Sequence, residues 1–367
     1  MQKALQILRY FFYGINVIAI ICTFVAAFGG YISPIRLHAI PAIAAMTFPA
    51  WFIAMPVFAI ISFFVNKKYA IANVVTMLLC INAFLTYCPL NFFSVTPPTG
   101  SREIKVMSYN VLHYRPYKPE KYSSEFSYTI SAIINSGADI ICVQEGILPE
   151  KLSRRISNAT SEQLDSICNI YPYRVSDTEG ISTLSKFPVE MTSAPEIPGE
   201  SGNLQVFQYD IDGIPLKIYN IHLQSFGFNP DDKELFIDLT EGKTDNNIRR
   251  SKNQLLNKLA TAFRCHATQA QIIRSALDKD DAKNVILCGD FNDIPGCYAM
   301  RTICGEDMYD CFRECALGPS ISYRDNRFYF HIDQMLCRKG ITTTDIKPLR
   351  IGASDHFPIL ATVHITK

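Results

Sequence analysis

The first hundred residues of the chain contain no aspartate or glutamate. They carry five basic side chains, whereas residues 101–367 hold the other 30 basic residues and all 34 acidic ones. The chain has one tryptophan, Trp51, and a formal net charge of +1. This balance excludes a protein that binds nucleic acid mainly through electrostatic contacts with the phosphate backbone, because such binding depends on clustered lysine and arginine. The 48% hydrophobic content excludes a disordered chain, and 367 residues predict about two domains.

Three uncharged hydrophobic stretches precede residue 95, at about residues 10–28, 39–65 and 69–93. Each approaches or exceeds the roughly 20 residues that a spanning helix needs, and none shows the polar face of a soluble core helix. We therefore predict three transmembrane helices. The alternative for the first stretch is a cleavable signal peptide, with a basic start and small residues near Ala26 at the cleavage site.

Basic residues predict the orientation of these helices. Three spans place Lys3, Arg9, Lys67 and Lys68 in the cytoplasm and Arg36 alone outside, as the positive-inside rule favours. The chain beyond residue 100 then lies on the extracytoplasmic side, and a cleaved signal followed by two spans leads to the same side. The sequence therefore predicts a multi-pass protein of the plasma or inner membrane with an extracytoplasmic globular domain.

The boundary between the two regions is expected near residue 100. Residues 94–101 (SVTPPTGS) have the composition of a linker, and an alternating strand begins immediately after them. Residues 1–100 are thus predicted to be a membrane anchor with its linker. Residues 101–367 are predicted to be a globular catalytic domain.

Nine of the twelve cysteines lie in the globular part. Cys142 and Cys288 lie in apolar runs and are expected to be small buried side chains. The four cysteines between residues 297 and 315 are close enough in sequence for one disulfide. A zinc site is the weaker interpretation, because no pair of zinc-binding motifs is present.

Short strands alternate with helices beyond residue 101. Alternating or continuous apolar runs predict strands at about residues 103–110, 139–144, 204–211, 214–223, 284–288, 332–337 and 359–365. Helical patterns lie near residues 130–134 and 247–277, and Asp212-Gly213 is a strong hairpin signal. The pattern is typical of an α/β (α+β) layered sandwich.

Polar residues of kinds that bind metal or phosphate lie at the ends of five of these strands. They are Asn110, Glu145, His222, the pair Asp290 and Asn292, and the pair Asp355 and His356. Any one of them is often only a solvated turn, but five on one rim are difficult to explain that way. Carboxylate and amide oxygens without clustered cysteine or histidine suit Mg²⁺ or Mn²⁺ better than zinc. The residue types therefore indicate metal-assisted phosphoester hydrolysis.

The same residues lie in motifs that resemble those of the endonuclease/exonuclease/phosphatase superfamily. The motifs are MSYNV (Asn110), ICVQEG (Glu145), YNIHLQS (His222), ILCGDFND (Asp290, Asn292), HIDQML (Asp333) and SDHFPI (Asp355, His356). Their order and spacing cover residues 103–365, and GDFN together with SDH is the specific part of the signal. Members of this superfamily include deoxyribonucleases, AP endonucleases, neutral sphingomyelinases and inositol polyphosphate 5-phosphatases.

The resemblance implies a four-layer sandwich of two mixed β-sheets flanked by helices, with Mg²⁺ as cofactor and Mn²⁺ as the alternative. It implies that Glu145 is the principal metal ligand, with Asn110 and Asp355 near the metal. It implies that Asp290 orients or activates the attacking water and that Asn292 holds both that carboxylate and the phosphate.

The resemblance also assigns the histidines. His356 would contact the phosphoryl oxygens, with its ring oriented by Asp333. His222 would stabilise the transition state or assist the leaving group. Asn110, Asn292 and His222 are thus expected to contact the substrate as well. The remaining histidines have no motif support and are interpreted as surface or packing residues.

Several features bear on the substrate. AP endonucleases have tyrosine where this chain has His222, and Trp51 lies in a predicted span, so repair of abasic sites is disfavoured. The acidic segment 229–247 is predicted to be a loop, and an acidic rim would repel nucleic acid. The context NIHLQS is more similar to the sphingomyelinase-like and general phosphodiesterase branches. Phe226 and Phe228 are expected in the core rather than in lipid headgroups.

The leading hypothesis is a membrane-anchored, Mg²⁺-dependent phosphoesterase that acts outside the cytoplasm on a phospholipid-type or small phosphoester. No obligate protein partner is predicted. The alternatives are an extracytoplasmic nuclease acting on DNA or RNA, which is less favoured, and a non-catalytic binding or sensor module that kept the fold.

Overall fold

The computed structural model describes the chain except Met1, His38 and residues 122–125, 152–157, 241–245 and 326–327. The described N-terminal part is helical. Its helices are α1 (Gln2–Phe28), α2 (Ile40–Met46), α3 (Phe48–Val65), α4 (Lys67–Leu79) and α5 (Ile81–Tyr87). Lys3–Tyr31 and Phe48–Val65 are long and apolar enough to cross a membrane, and α4 with α5, bent by 55°, makes a third candidate if the pair is one span. Two to three apolar helices thus indicate a membrane anchor.

The second predicted stretch, residues 39–65, is not one helix. It divides at Thr47, whose backbone N–H and hydroxyl both donate to Ala44 O, which closes α2. A proline in the first turn begins each of the two new helices. The third stretch also bends, at Cys80, and its helix ends at Tyr87 rather than continuing to residue 93. The apolar pattern therefore located the helical region but not its breaks.

Buried polar side chains join three of the N-terminal helices. Asn16 Nδ2 of α1 lies 2.8 Å from Ser62 Oγ of α3, and Asn73 Nδ2 of α4 lies 3.4 Å from the same hydroxyl. All three residues are fully buried. Hydrogen bonds between such side chains hold helices together in lipid, where apolar contact alone gives no preference for protein over lipid tails.

Fourteen strands are present in the described part of residues 102–365. They are β1 (Arg102–Asn110), β2 (Ile140–Gln144), β3 (Tyr173–Ser176), β4 (Ser182–Ser185), β5 (Val189–Thr192), β6 (Asn203–Ile211), β7 (Ile214–His222), β8 (Val285–Asp290), β9 (Met308–Asp310), β10 (Tyr323–Asp325), β11 (Phe328–Phe330), β12 (Asp333–Arg338), β13 (Thr342–Pro348) and β14 (Ile359–Ile365). One six-stranded sheet has the order β13-β14-β1-β2-β4-β3 and the other β5-β6-β7-β8-β12-β9, while β10 and β11 form a separate hairpin. Both large sheets are mixed, because β1–β2 and β7–β8 are parallel pairs.

Helices pack around the two sheets. They are α6 (Tyr128–Asn135), α7 (Ser161–Ile170), α8 (Pro230–Thr240), α9 (Asn246–Asp278), α10 (Tyr298–Cys304) and α11 (Cys311–Cys315). The largest apolar cluster lies between the sheets, α6 and α7 pack on the first sheet, and α9 and α10 pack on the second. The predicted four-layer sandwich is confirmed.

Several local expectations change in the structure. The acidic segment 229–247, predicted as a loop, contains α8 and the beginning of α9, while Glu241 and Asp245 lie outside the described residues. All twelve cysteines, each of which the structure describes, are free thiols. Cys142 and Cys288 are fully buried, as expected.

The N-terminal helices pack directly against the globular part. The Arg301 guanidinium stacks 4.0 Å above the Tyr31 ring, and a Cβ on Gly30 would lie only 2.0 Å from Gly296 O. Asn91 Nδ2 donates to Arg313 O and to Ala316 O, at 2.8 and 3.0 Å. Residues 94–101 are therefore not the only connection between the two regions.

Gly289 is required at the end of β8. Its φ of +145° is one that L side chains rarely adopt, and a Cβ there would lie 1.9 Å from Ile221 O of the neighbouring strand. We expect Gly289→Ala to cost more than about 3 kcal/mol in stability, because backbone rather than a flexible side chain must move. Gly213→Ala is the matched control, since Gly213 also has a positive φ, +81°, but nothing within 4 Å of its Cβ position. Thermal melting of the full chain should show a several-fold smaller loss of stability for Gly213→Ala than for Gly289→Ala. Equal losses of stability would contradict the steric argument.

Candidate active site

The strand register brings the predicted rim residues together. In the parallel pair β7–β8, His222 is directly opposite Asp290. In the antiparallel pair β8–β12, Asp333 is opposite Asp290 on the other side. Asn110 ends β1 of the facing sheet. Because the two sheets pack face to face, these strand ends meet at one edge of the sandwich.

Asp290 lies at the centre of the hydrogen-bond network. Asn110 Nδ2 donates to Asp290 Oδ2 and to Glu145 Oε1, at 3.0 Å each, and so joins the two carboxylates. The backbone N–H of Asn292 donates to Asp290 Oδ1 at 2.8 Å. His222 Nε2 lies 3.7 Å from both Asp290 Oδ2 and Glu145 Oε1. The Asp290 carboxylate is almost fully buried and held by donors from two sheets.

Asp333 and His356 form a buried pair. His356 Nδ1 lies 2.8 Å from Asp333 Oδ2, and its Nε2 lies 3.5 Å from Asp290 Oδ2. Ser322 Oγ accepts the backbone N–H of Asp333 at 2.9 Å and helps to fix the strand. Burial alone would lower the pKa of His356, but the carboxylates of Asp333 and Asp290 outweigh that effect and raise it to about 10. His356 is therefore an imidazolium at neutral pH.

The donor set fits a divalent cation. Asp290, Asp333 and His356 offer side-chain atoms that lie within 4.8 Å of one another, but a protonated His356 paired with Asp333 is not a metal ligand. The neighbouring carboxylates of Glu145 and Asp355 also line the site and offer oxygen ligands. Burial raises the pKa of the Asp355 carboxyl, and the neighbouring Glu145 carboxylate raises it further. Asp333 Oδ1 is buried without a hydrogen-bond partner. Several carboxylates crowded in one buried site repel each other, and a hard cation relieves that repulsion.

Glu145 and Asn292 both have left-handed backbone conformations, with φ of +52° and +49°. Such conformations are costly for residues other than glycine and are found preferentially at functional sites. Here they turn the chain sharply after β2 and after β8, and both residues line the site. The side chain of Asn292 donates to Leu223 O at 2.9 Å, which anchors the turn to the end of β7.

These side chains line a cleft of about 400 Å³. Its polar end is formed by Glu145, His222, Asp290, Asn292, Asp293, Asp355 and His356, with Thr47, Ser225, Lys233 and Tyr323 also in the lining. Its remaining walls are apolar and comprise Ile43, Met46, Phe226, Phe228, Leu259, Ile294, Phe328, Phe330 and Ile332. The cleft thus combines a group of charged side chains with an extensive apolar lining.

The structure adds residues that the sequence did not indicate. The Tyr323 ring lies 4.9 Å from the His356 ring, and its hydroxyl accepts a hydrogen bond from Lys233 Nζ at 3.2 Å. Lys233 also forms an ion pair with Asp325. Tyr323 and Asp325 belong to the short hairpin β10–β11, whose three-residue strands are too short to give a periodic signal.

The histidines without motif support fall into two groups. His113 is largely exposed, yet its Nε2 lies 3.6 Å from Glu145 Oε2 at the edge of the site. His266 is buried against Asp293, and His331 is buried with neither ring nitrogen hydrogen-bonded. Burial lowers the pKa of His331 to about 4, so this residue packs as a neutral ring.

Comparison with known families agrees with this geometry. Residues 107–356 match the endonuclease/exonuclease/phosphatase family, and residues 9–87 match a family described as a domain of unknown function. The chain therefore belongs to the endonuclease/exonuclease/phosphatase family. It is a phosphoesterase or nuclease-like hydrolase of that family, and the resemblance drawn from the motifs is confirmed.

Solved structures with a similar fold include three distant relatives. The human Nocturnin catalytic domain with bound sulfate is 14% identical, with a TM-score of 0.48 over 75% of this chain and 97% of that one. A family protein from Bacteroides thetaiotaomicron is 13% identical, with a TM-score of 0.45 over 73% of this chain and 99% of that one. Humanized D. rerio TDP2 is 15% identical, with a TM-score of 0.44 over 71% of this chain and 98% of that one. No curated protein sequence matches the chain.

Proposed function

We propose that the chain is a membrane-anchored, Mg²⁺-dependent phosphoesterase that hydrolyses a phosphodiester or phosphomonoester by attack of water, with an amphipathic or small substrate. The observation that carries this proposal is the position of Asp290. Its carboxylate accepts hydrogen bonds from Asn110 and Asn292 and lies within 3.7 Å of both His222 and His356. One buried base beside two histidines in the lining of a cleft suits water attack on phosphorus.

A divalent cation would be held by Glu145, with Asn110 and Asp355 beside it. When bound, it polarises the phosphoryl group and stabilises the charge that develops on it. Mn²⁺ is the alternative ion, because both prefer oxygen ligands.

The remaining roles follow from the side chains themselves. Asp290 orients the attacking water and accepts its proton, while the turn at Asn292 holds that carboxylate in place. His356 keeps its proton at Nε2 because Asp333 accepts the Nδ1–H, so it can bind the phosphoryl oxygens as a cation. His222 Nε2 faces the same space and can stabilise or protonate the leaving oxygen.

Metal addition tests this proposal. The full chain in detergent, stripped with EDTA, is expected to lose more than 100-fold in turnover and to recover it with Mg²⁺ or Mn²⁺ but not with Ca²⁺ alone. The substrate panel should contain bis(p-nitrophenyl) phosphate, phospholipid and sphingomyelin vesicles, and single- and double-stranded DNA and RNA. Turnover that is unaffected by EDTA, or absent from the whole panel, would contradict the proposal. Turnover confined to nucleic acid would favour the nuclease alternative.

The catalytic domain is proposed to be extracytoplasmic. Support comes from the basic residues at positions 3, 9, 67 and 68 at one end of the helices, opposite the globular part. Fusion after residue 367 to alkaline phosphatase, which is active only after export, should give activity, whereas fusion to a fluorescent protein that folds in the cytoplasm should be dark. A fluorescent fusion with inactive phosphatase would place the domain in the cytoplasm.

A further inference from the structure

One wall of the catalytic cleft comes from the membrane anchor. Ile43, Met46 and Thr47, at the end of α2, line the same cleft as Asp290 and His356. Helix α2 is held there by an apolar cluster that joins Ala39 and Ala42 to residues of α8 and α9. A segment that only connected two membrane spans would have no reason to extend to the reacting groups.

This wall continues towards the membrane end of the molecule. Between α1 and α2, Ile35 and Leu37 expose 46% and 58% of their surface. Helix α3, a candidate span, begins at Phe48, immediately after the cleft-lining Thr47. The apolar lining of the cleft is thus continuous along the chain with a candidate membrane span.

A second wall of the cleft consists of aromatic rings. Phe226 and Phe228 stack with centroids 5.3 Å apart, and Phe228 lies 6.4 Å from Phe328 of β11. Both Phe226 and Phe228 are half-buried and pack against the same apolar cluster as Ile43 and Met46. Together the two walls form a continuous apolar part of the cleft lining beside its charged groups.

The charges of the cleft limit what can occupy it. Among the described lining residues, Lys233 is the one lysine or arginine, and Asp325 already pairs with it. A nucleic acid would need several unpaired cations along its backbone, and a sugar phosphate would need hydrogen-bonding groups in place of the phenylalanines. A phosphoester that carries a hydrocarbon chain fits both parts of the cleft, because its phosphate suits the charged groups and its chain suits the apolar lining.

We infer that the apolar walls bind the hydrocarbon tail of an amphipathic lipid phosphoester, with Ile43 and Met46 of the anchor on one side and Phe226 and Phe228 on the other. This inference rests on the proposed function and names its substrate class. The phosphate lies at the polar end near Asp290, and the tail lies along α2 towards the bilayer. The anchor is then part of the substrate site as well as a tether.

The experiment measures binding of alkyl phosphates to the full chain in nanodiscs with Mg²⁺, by calorimetry, after subtraction of uptake by empty nanodiscs. Each methylene fully removed from water strengthens binding roughly fourfold. Octyl phosphate, with four more methylenes than butyl phosphate, is therefore expected to bind at least about tenfold more tightly when those methylenes are partly buried. Equal binding of the two probes would overturn the inference.

Two variants test the walls. Ile43→Gln and, independently, Phe228→Gln should reduce the octyl-to-butyl ratio to less than about threefold, because a polar side chain replaces apolar contact on each wall. Ile40→Gln is the matched control, since Ile40 lies on the same helix but is exposed and outside the cleft lining. A ratio unchanged in both wall variants, or lost equally in Ile40→Gln, would overturn the assignment.

The outcome separates this inference from the proposed function. Binding that depends on chain length in a protein that hydrolyses none of the tested phosphoesters would reject the proposed function and retain the tail site. Metal-dependent hydrolysis without dependence on chain length would retain the function and reject the tail site.

Discussion

Asp290→Asn is expected to reduce hydrolysis by at least 1,000-fold while the chain stays folded. The amide keeps the shape of the side chain, but it cannot accept a proton from water. One carboxylate oxygen becomes an amide nitrogen and the other a weaker acceptor, so the hydrogen bonds from Asn110 and from the Asn292 N–H are lost or weakened. Loss of the base together with the orientation of the water accounts for an effect of this size. Single-turnover rates at saturating substrate are the appropriate measurement, because they report the chemical step.

Asp293→Asn is the matched control for this prediction. Asp293 lies three residues further along the same loop, where its carboxylate accepts the Ile294 N–H at 2.8 Å and lies 3.4 Å from His266 Nδ1. Its change should lower the melting temperature more than the rate, with turnover within about tenfold of the parent. If the two variants lost activity equally, the base would not be assigned to Asp290.

Asp333→Asn is expected to reduce kcat at pH 8 by roughly 100-fold or more, and to change the pH profile. The Asp333 carboxylate is a main cause of the raised pKa of His356, so its loss lowers that pKa, because burial is then opposed mainly by the Asp290 carboxylate. In the parent, His356 keeps its proton up to about pH 10. In the variant the proton is lost as the pH rises through a lower value, so activity should increase as the pH falls from about 8 to 6.

The shape of that pH profile distinguishes loss of the His356 charge from misfolding of the variant. A variant that was only misfolded would be slow to the same degree at every pH, and NMR of labelled histidine would show no new titration. An unchanged profile with a His356 titration like that of the parent would show that Asp333 does not hold the proton there.

The sequence predicted which polar residues the structure brings to one edge of the sandwich, because their chemistry and their position at strand ends are both visible in it. Strand β14 was predicted with its observed ends, and the hairpin around Asp212-Gly213 with ends within one residue. The apolar runs before Glu145 and Asp290 predicted central strands, and a central strand has few registers that bury its apolar residues.

Strand β4 was missed for a physical reason. Its residues, Ser182–Ser185, are all buried although three of the four are polar. Thr183 Oγ1 lies 2.7 Å from Tyr209 OH, and Ser182 Oγ donates to Gly146 O at 2.8 Å. Partners far away in sequence satisfy these groups, so hydropathy alone cannot identify the strand.

The walls of the cleft were missed for a related reason. They combine residues near position 43 with residues near 226 and 328, and no local pattern links these segments. The sequence placed α2 inside a span, because its apolar composition is the same whether it faces lipid or a cleft. Only the break at Thr47 and the packing of α2 on α9 distinguish the two cases.

The close approach of Gly30 to Gly296 has a consequence for kinetics in a bilayer. Gly30 leaves no space for a side chain, so the loop after β8 rests directly on the end of the first candidate span. If that span crosses a bilayer and the substrate is the lipid phosphoester inferred above, the enzyme meets its substrate by diffusion in two dimensions. Velocity should follow the mole fraction of the substrate in the membrane and stay constant when more vesicles of the same composition are added.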